Sequence, residues 1–378
     1  MFNVDAEFKK KLDTWVSRQV HENFRAWTRD GYLPIRALIH QLGAQDLLSA
    51  GWSGSIETDD TNKQLYLHYC LANQPFGALG LCVASHIDIG ARLIRRLATE
   101  NQKQSWLVDA KLGKVICALA MSEPEAGSDL QNVQMRAEQA GTGWVLNGKK
   151  TNITNLPFAD VAVTLVRTSP APKAFSFSLF LVPLKTDGIT QHDAYDSLGY
   201  EGCLGGFEAK NVHLPKTALL GNLGQGLITL MNHLDFERLV ICARMAGAGQ
   251  YIMQQSLAHV NQRNTFNKPL IQNQAIEFRL AELFVQWQAF NAQLNLLHDS
   301  ERCGQSNGRE TAMLKFSGSQ LLTKTADAYL QLAGGRGYMS DHPANRFYRE
   351  APGLALAGGS DETMLSIVAR NYKEGLML

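Results

Sequence analysis

The spacing of apolar residues changes twice along the chain, and this change limits the folds that it can adopt. Up to about residue 115, stretches such as LPIRALIHQLGAQDLL place apolar residues three and four positions apart, which predicts helices. From about 116 to 222, ADVAVTLVRT is β-branched and FSFSLFLVPL alternates, as strands do. Helical spacing returns after Gly226. We therefore predict a mainly α protein with an N-terminal α-helical domain (1–115), a central β-barrel-like domain (116–222) and a C-terminal four-helix bundle (223–378).

The strand region carries one local turn signal. Asn147-Gly148 within GWVLNGKKTNIT is a dipeptide typical of two-residue hairpin turns, so we expect a hairpin there.

Composition excludes several classes of partner. The 378 residues carry 36 basic and 35 acidic side chains, which gives a formal charge of +1. The chain therefore has no excess of positive charge with which to bind nucleic acid or an anionic membrane. No apolar run reaches the ~18–20 residues of a membrane span, and the N-terminus lacks the apolar core of a signal peptide. The six cysteines are scattered without metal-ligand spacing. We expect no metal, reduced thiols and a cytoplasmic location.

Glu237 interrupts an apolar helix face. At helical spacing it falls on one stripe with Leu227, Leu230, Leu234, Ile241, Met245 and Ala248. An apolar site raises the pKa of a carboxyl towards the value wanted in a general base, so Glu237 is a candidate catalytic residue. The alternative is that Arg238, or a cation from another element, pairs with it for structural reasons.

Glycine-rich and hydroxyl-rich segments offer further candidates, each with an ordinary structural alternative. The segment from Met121 to Asp129 is either a surface loop or a loop that approaches a phosphate or a polar ring edge. Gly334-Gly335 reads as a helix C-cap, and no strand precedes it, so a nicotinamide-binding Rossmann domain is not supported. Ser360 is a suitable N-cap, although the amides of its turn could also hold an oxyanion.

Taken together, these segments resemble the motifs of the acyl-CoA dehydrogenase family. MSEPEAGSD, WVLNGKKTNITN, DFERLVICARMAGAG, RNTFNKPLIQNQAI, QLAGGRGY and GGSDETM occur in the family's order and cover almost the whole chain. The resemblance implies an FAD-binding subunit of a homodimer or homotetramer. It also implies a reaction in which a carboxylate removes the α-proton of an acyl thioester while hydride leaves the β-carbon for the flavin.

The resemblance also implies roles for individual residues. Ser122 resembles the hydroxyl at the flavin pyrimidine edge, Gly127 and Ser128 the residues near the pyrophosphate, and Thr154 the hydroxyl close to N5. The remaining positions similar to cofactor-binding ones are Arg263 and Phe266, which would reach the FAD of a neighbouring subunit, Gln331, Gly334 and Gly335 at its adenosine and pyrophosphate end, and Ser360 and Glu362. Substrate-binding positions implied in the same way are Ser128, Arg238 and Gly358.

The chain departs from the family pattern at several of these motifs. Gly358 stands where many members carry their catalytic Glu, whereas DFER places Glu237 where the isovaleryl- and long-chain-type branch carries its base. The Gly358 N–H can still polarise a thioester carbonyl. Asn152 replaces an aromatic residue expected beside the flavin, Glu201 an Arg, and Asn267 a Gly.

The departures leave several functions open. The first is dehydrogenation of an acyl thioester carried by CoA or by a carrier protein, with an electron-transfer flavoprotein or oxygen as acceptor. The second is a related flavin-dependent oxidase or monooxygenase, for which Asn152 is the hint. The third is a non-catalytic acyl-binding homologue.

Overall fold

A computed structural model describes residues 2–31, 33–169, 174–303 and 308–373. The helices are α1 (Ala6–Val16), α2 (Phe24–Asp30), α3 (Ile35–Ala44), α4 (Thr61–Ala72), α5 (Gly77–Val83), α6 (Arg92–Leu97), α7 (Glu100–Lys111), α8 (Gly226–Gln262), α9 (Gln274–Arg302), α10 (Gly308–Gly337), α11 (Pro343–Leu356) and α12 (Asp361–Lys373). The strands are β1 (Cys117–Ala120), β2 (Arg136–Ala140), β3 (Gly143–Thr154), β4 (Val161–Arg167), β5 (Phe177–Pro183), β6 (Ile189–Gln191), β7 (Leu204–Pro215), β8 (Leu219–Leu220), β9 (Asn264–Thr265) and β10 (Lys268–Pro269). The predicted order of helical, β and helical segments is confirmed.

The chain forms two compact units. The first unit comprises residues 1–33, 50–80 and 238–378, and the second comprises 34–49 and 81–237.

The second unit is built on a β-sheet with the strand order β6-β7-β3-β2-β4-β5-β8, in which β1 also pairs with β4. The β1–β4 pair is parallel and the β4–β5 pair is antiparallel. The first six residues of β5 are all buried, so both faces of the strand are covered. The alternation in FSFSLFLVPL therefore does not separate a buried inner face from an exposed outer face. Strands that are covered on both sides have apolar side chains throughout.

The hairpin expected at Asn147-Gly148 is wrong. Both residues lie inside β3, and the chain turns instead at Gly141-Thr142, where Ala140 of β2 pairs with Gly143 of β3. The Asn147 side chain accepts a hydrogen bond from the backbone N–H of Asn211 (2.7 Å), next to a register shift between β3 and β7. The Asn-Gly pair therefore marks a bulge rather than a turn.

The first unit contains the helical bundle. On α9, residues spaced by three and four positions are buried: Leu280, Leu283, Trp287, Phe290 and Leu294. Helix α10 packs against α9, α11 and α12. The indole N–H of Trp287 donates to the hydroxyl of Thr325 on α10 (3.0 Å), which satisfies the polar atom of a buried aromatic side chain.

One helical stretch among the described residues, Gly77–Leu97, has the length and composition of a membrane span. In it, 89% of the apolar window is buried within the protein.

Candidate functional site

The loop that follows β1 in the second unit carries three of the predicted cofactor-binding residues. The backbone N–H of Thr151 on β3 donates to the carbonyl of Ser122 (3.0 Å), which places the start of the loop beside that strand. A reciprocal pair of backbone hydrogen bonds between Glu123 and Ala126 (2.9 and 3.1 Å) folds the loop into a tight turn. Gly127 and Ser128 follow this turn and are exposed.

A buried ion pair lies under this loop, and the sequence reasoning missed it. The ammonium of Lys150 is 2.8 Å from Oε1 of Glu123, and both side chains are almost inaccessible (0% and 5% exposed). Burial lowers the pKa of Lys150 to about 8, a fall that the charge of Glu123 opposes. The sequence did contain a signal for this buried lysine. Side chains alternate between the two faces of a strand, so Lys150 falls on the same buried face of β3 as Trp144.

Thr154 is half-buried at the end of β3, opposite Leu204. A register shift between Lys150 and Ile153 precedes it, and Asn152 at this bulge has a φ of 56° and is exposed. A left-handed backbone favours Asn over an aromatic residue. The departure at Asn152 therefore has a local conformational cause.

Glu237 lies in the second unit, in the helix α8. It is 9% exposed, and the neighbouring Phe236 stacks on the guanidinium of Arg92 (3.8 Å to the ring centre). One turn before it, the His233 ring contacts the carbonyl of Asp88 (3.1 Å). Burial, followed by the positive charge of Arg92, lowers the pKa of His233 to about 3, so this ring is neutral. The carboxyl group predicted from the helical stripe is thus buried.

In the first unit, a turn between α11 and α12 carries Gly358. Its φ is 64° and that of Gly359 is 98°, values that suit glycine. Arg238 Nε donates to the carbonyl of Gly358 (3.1 Å), and Lys315 Nζ donates to that of Gly359 (2.6 Å). Lys315 also bonds to the carbonyl of Ala355 (2.9 Å) and lies 3.6 Å from the Asp361 carboxylate. Sequence reasoning did not identify Lys315.

Ser360 and Glu362 begin the helix α12. The Ser360 hydroxyl accepts a long hydrogen bond from the Thr363 N–H (3.4 Å), so the N-cap interpretation has geometric support. Glu362 is exposed in the first turn, where its own backbone N–H and the Ser360 hydroxyl lower the pKa of its carboxyl.

Gln331, Gly334 and Gly335 are exposed near the end of α10 in the first unit. Gly334 has φ 59° and ψ −149°, which interrupts the helix rather than closing it. Among the described residues, no heavy atom other than those of adjacent residues and of the helix's own backbone lies within 4 Å of the position that a Cβ would occupy on Gly334 or Gly335. The backbone here is open to a ligand.

Arg263 and Phe266 are also exposed in the first unit, beside a two-residue hairpin between β9 and β10. The turn consists of Phe266 and Asn267, with φ values of 51° and 62°. Asn tolerates this conformation, which accounts for its presence where the family has Gly. Phe266 is 92% exposed. A hairpin that directly follows the end of α8 at Gln262 therefore presents an aromatic ring to solvent.

These residues fit FAD by their chemistry. On the second unit they offer hydroxyls and, at Gly127, a backbone with open space where a Cβ would lie, as far as the described residues are concerned. On the first unit they offer glycines with open space where a Cβ would lie, a guanidinium and an exposed ring. Amides, hydroxyls and cations are the groups that bind pyrophosphate and the edge of a polar ring. Within the described part of the chain, no group of three or more His, Cys, Asp or Glu side chains is arranged to hold a metal ion.

Three sequence-family models match the chain. They describe the acyl-CoA dehydrogenase N-terminal domain (residues 5–113), middle domain (118–212) and C-terminal domain (224–373). Mitochondrial isovaleryl-CoA dehydrogenase of Solanum tuberosum is 30% identical over 317 residues, 82% of this chain and 76% of that protein. Mitochondrial long-chain specific acyl-CoA dehydrogenase of Sus scrofa is 33% identical over 291 residues, covering 75% and 67%.

Solved structures agree in fold. An acyl-CoA dehydrogenase from Geobacillus kaustophilus is 27% identical, with a TM-score of 0.90 over 98% of both chains. Butyryl-CoA dehydrogenase from Megasphaera elsdenii is 23% identical and shares the fold, with a TM-score of 0.91 over 99% of this chain and 100% of that one. The resemblance and the predicted fold class are confirmed. With matches to all three domains and to relatives at this level of identity, the chain belongs to the acyl-CoA dehydrogenase family of FAD-dependent oxidoreductases.

Proposed function

We propose that the protein catalyses the FAD-dependent α,β-dehydrogenation of an acyl thioester, with Glu237 as the base. The observation that carries the proposal is the buried carboxyl group of Glu237 on α8, combined with a glycine at position 358. A carboxylate that is removed from water is a stronger base than an exposed one.

The reaction divides between the chain and its cofactor. Glu237 removes the α-proton, and the backbone N–H of Gly358 donates to the thioester carbonyl, where negative charge develops. Arg238 holds the carbonyl of Gly358, which belongs to the following peptide group, and so fixes the turn on the C-terminal side of that N–H, in addition to the substrate contact that the resemblance implies. FAD, when bound, supplies the acceptor for the β-hydride, and the product is a trans-2-enoyl thioester.

The cofactor-binding roles remain those implied by the motifs. We assign the flavin end to Ser122 and Thr154 and the pyrophosphate to Gly127 and Ser128, which follow the tight turn. For the FAD of a neighbouring subunit we assign the exposed residues Arg263, Phe266, Gln331, Gly334 and Gly335, and we assign further contacts to Ser360 and Glu362.

An anaerobic titration of the flavin-loaded protein with acyl thioesters tests the proposal. We expect the flavin band to bleach with the wild type and not with Glu237→Gln. Asp235→Asn is the matched control, because residues two positions apart face different sides of a helix. A Glu237→Gln variant that still bleaches the flavin at the wild-type rate would refute the assignment of the base. If the wild type does not bleach the flavin either, and Glu237→Gln changes only stability, the non-catalytic homologue is favoured.

The carrier of the acyl group is a separate proposal. We propose a carrier-protein thioester as an alternative to acyl-CoA, since Asn152 and Glu201 both depart from the family pattern and are exposed. Parallel titrations with an acyl-CoA and with the same acyl group on a phosphopantetheinylated carrier protein compare the two. Equal rates of flavin reduction would rule out a carrier-protein preference.

The electron acceptor is proposed to be an electron-transfer flavoprotein, with oxygen as the alternative. The exposed Asn152 at the β3 bulge is the observation that favours oxygen, because an aromatic residue is absent from that position. Stopped-flow mixing of the reduced protein with air-saturated buffer decides between them. Reoxidation within one turnover time supports an oxidase or monooxygenase, and much slower reoxidation supports a protein acceptor.

We also propose a homodimer or homotetramer that works in the cytoplasm. Exposed apolar side chains on α9 support self-association, and they comprise Phe278, Phe284, Val285 and Leu296. The six free cysteines suit a reducing compartment. Sedimentation velocity at several concentrations measures the oligomeric state.

A further inference from the structure

The loop from Met121 to Asp129 is attached to the sheet of the second unit chiefly through one acidic side chain. Glu123 accepts hydrogen bonds from the backbone N–H groups of Gln134 (2.7 Å) and Met135 (3.1 Å), at the entry to β2. It also accepts one from the Lys150 ammonium on β3 (2.8 Å). A single carboxylate thus connects the loop, the start of one strand and the middle of another.

Lys150 adds a second attachment next to the first. Its ammonium donates to the carbonyl of Met121 (2.8 Å) as well as to Glu123, so it holds the chain on both sides of Ser122. Directional bonds to charged groups fix a loop more strictly than apolar contacts do. The residues assigned to FAD therefore lie on a segment whose shape depends on this pair.

The pair also determines the charge beneath the loop. Lys150 neutralises Glu123 in a place that water does not reach, because both side chains are buried. Without Lys150, a buried carboxylate would be left uncompensated, and it would repel a pyrophosphate bound at the nearby backbone amides. Removing both charges together would avoid this repulsion.

We propose that the Glu123–Lys150 ion pair is a positioning device that sets the affinity of the loop for FAD. This inference rests on the proposed assignment of Ser122, Gly127 and Ser128 to the cofactor. Glu123 and Lys150 act through the loop, and neither is a catalytic residue.

The test is a double-mutant cycle on FAD binding to the apoprotein. We expect Lys150→Met to raise the Kd for FAD by at least about 10-fold, because it leaves Glu123 buried alone. The double variant Glu123→Gln/Lys150→Met should recover most of this loss. Lys150→Arg keeps the charge and should bind FAD with a Kd close to that of the wild type, so it tests the role of the charge even if Lys150→Met does not fold.

Two control variants separate this role from general destabilisation. Lys149→Met removes the adjacent exposed lysine, whose ammonium is 3.5 Å from Glu208, and should leave the Kd unchanged. Leu146→Ala damages the buried face of the same strand while leaving both members of the Glu123–Lys150 pair in place. Hydrogen exchange of the 121–129 peptide in the apoprotein should accelerate in Lys150→Met and not in Leu146→Ala.

Each outcome has a defined meaning. If the wild type itself does not bind FAD, the proposed function fails. If the wild type binds FAD and Lys150→Met binds it equally well, the inference is overturned, as it is when Leu146→Ala weakens FAD binding to the same extent at an equal loss of Tm. Recovery in the double variant supports the inference.

Discussion

His86 provides a pH-dependent test of the second unit. The ring is fully buried, its Nδ1 accepts a hydrogen bond from the Cys117 N–H (3.1 Å), and its Nε2 donates to the carbonyl of Ala110 (3.0 Å). The two bonds together require a neutral ring with its proton on Nε2. Because β1 starts at Cys117 and leads into the 121–129 loop, His86 supports the strand that precedes the proposed FAD contacts.

The sign and size of the effect follow from the pKa of His86. Burial lowers it from 6.5 to about 4, so between these values the unfolded chain binds a proton that the folded protein does not. Stability is therefore lost as the pH falls from 6.5 towards 4. At about 1.4 kcal/mol per tenfold change in proton affinity, His86 contributes a loss of about 2 kcal/mol between pH 7 and pH 5 and about 3 kcal/mol in full.

Urea unfolding at pH 7, 6 and 5 measures this loss. We compare the wild type with His86→Gln, which removes the titrating group, and with His213→Gln, which removes an exposed histidine from β7. The free energy of unfolding of His86→Gln should start lower at pH 7 but fall by about 2 kcal/mol less than that of the wild type by pH 5. His213→Gln should follow the wild type. A pH dependence that is identical in His86→Gln and the wild type would refute the reasoning, since His86 would then be protonated in the native state.

Further predictions concern one residue each. Asn155→Leu removes side-chain bonds to the carbonyls of Cys82 (2.9 Å) and Cys117 (3.2 Å) at a φ of 70°, so urea unfolding should show a loss of about 2–4 kcal/mol. Lys315→Met leaves Asp361 without its buried cation and should lower the free energy of unfolding by about 3–5 kcal/mol. Phe266→Ser alters an exposed ring, so it should change that free energy by less than about 0.5 kcal/mol while FAD retention in dialysis falls, and full retention would contradict its assignment.

The parts of the fold that depend on local periodicity could be predicted from the sequence. Apolar spacing located the helices and strands, and the helical stripe identified Glu237 as a buried carboxyl group. The turn at Gly141-Thr142 was missed because Asn147-Gly148 gave a stronger local signal. The choice between a bulge and a hairpin depends on pairing with β7, which lies about sixty residues further along the chain.

The attachments of the candidate site could not be predicted in the same way. Arg238 contacts the carbonyl of Gly358 across 120 positions, and Lys150 contacts Glu123 across 27. Neither pair has a periodic relation in sequence, because each is created by the packing of separate elements. The resemblance assigned Arg238 to the substrate rather than to the Gly358 carbonyl, and it left out Lys150. Motif matching assigns the residues that touch a ligand and not those that hold the motif in place.

The turn at Gly358 keeps its shape although it lacks the side chain that many family members carry at this position. At a φ of 64°, any residue other than glycine is strained by about 1–2 kcal/mol, so the backbone of this chain favours a glycine. Arg238 and Lys315 still bind the carbonyls of Gly358 and Gly359, which keeps the peptide groups of the turn in fixed directions. We infer that this turn, which lacks the carboxylate and has two buried cations bound to its carbonyls, serves through its amides. With the base proposed at Glu237, we propose that the remaining task of this turn is to donate an N–H to the thioester carbonyl.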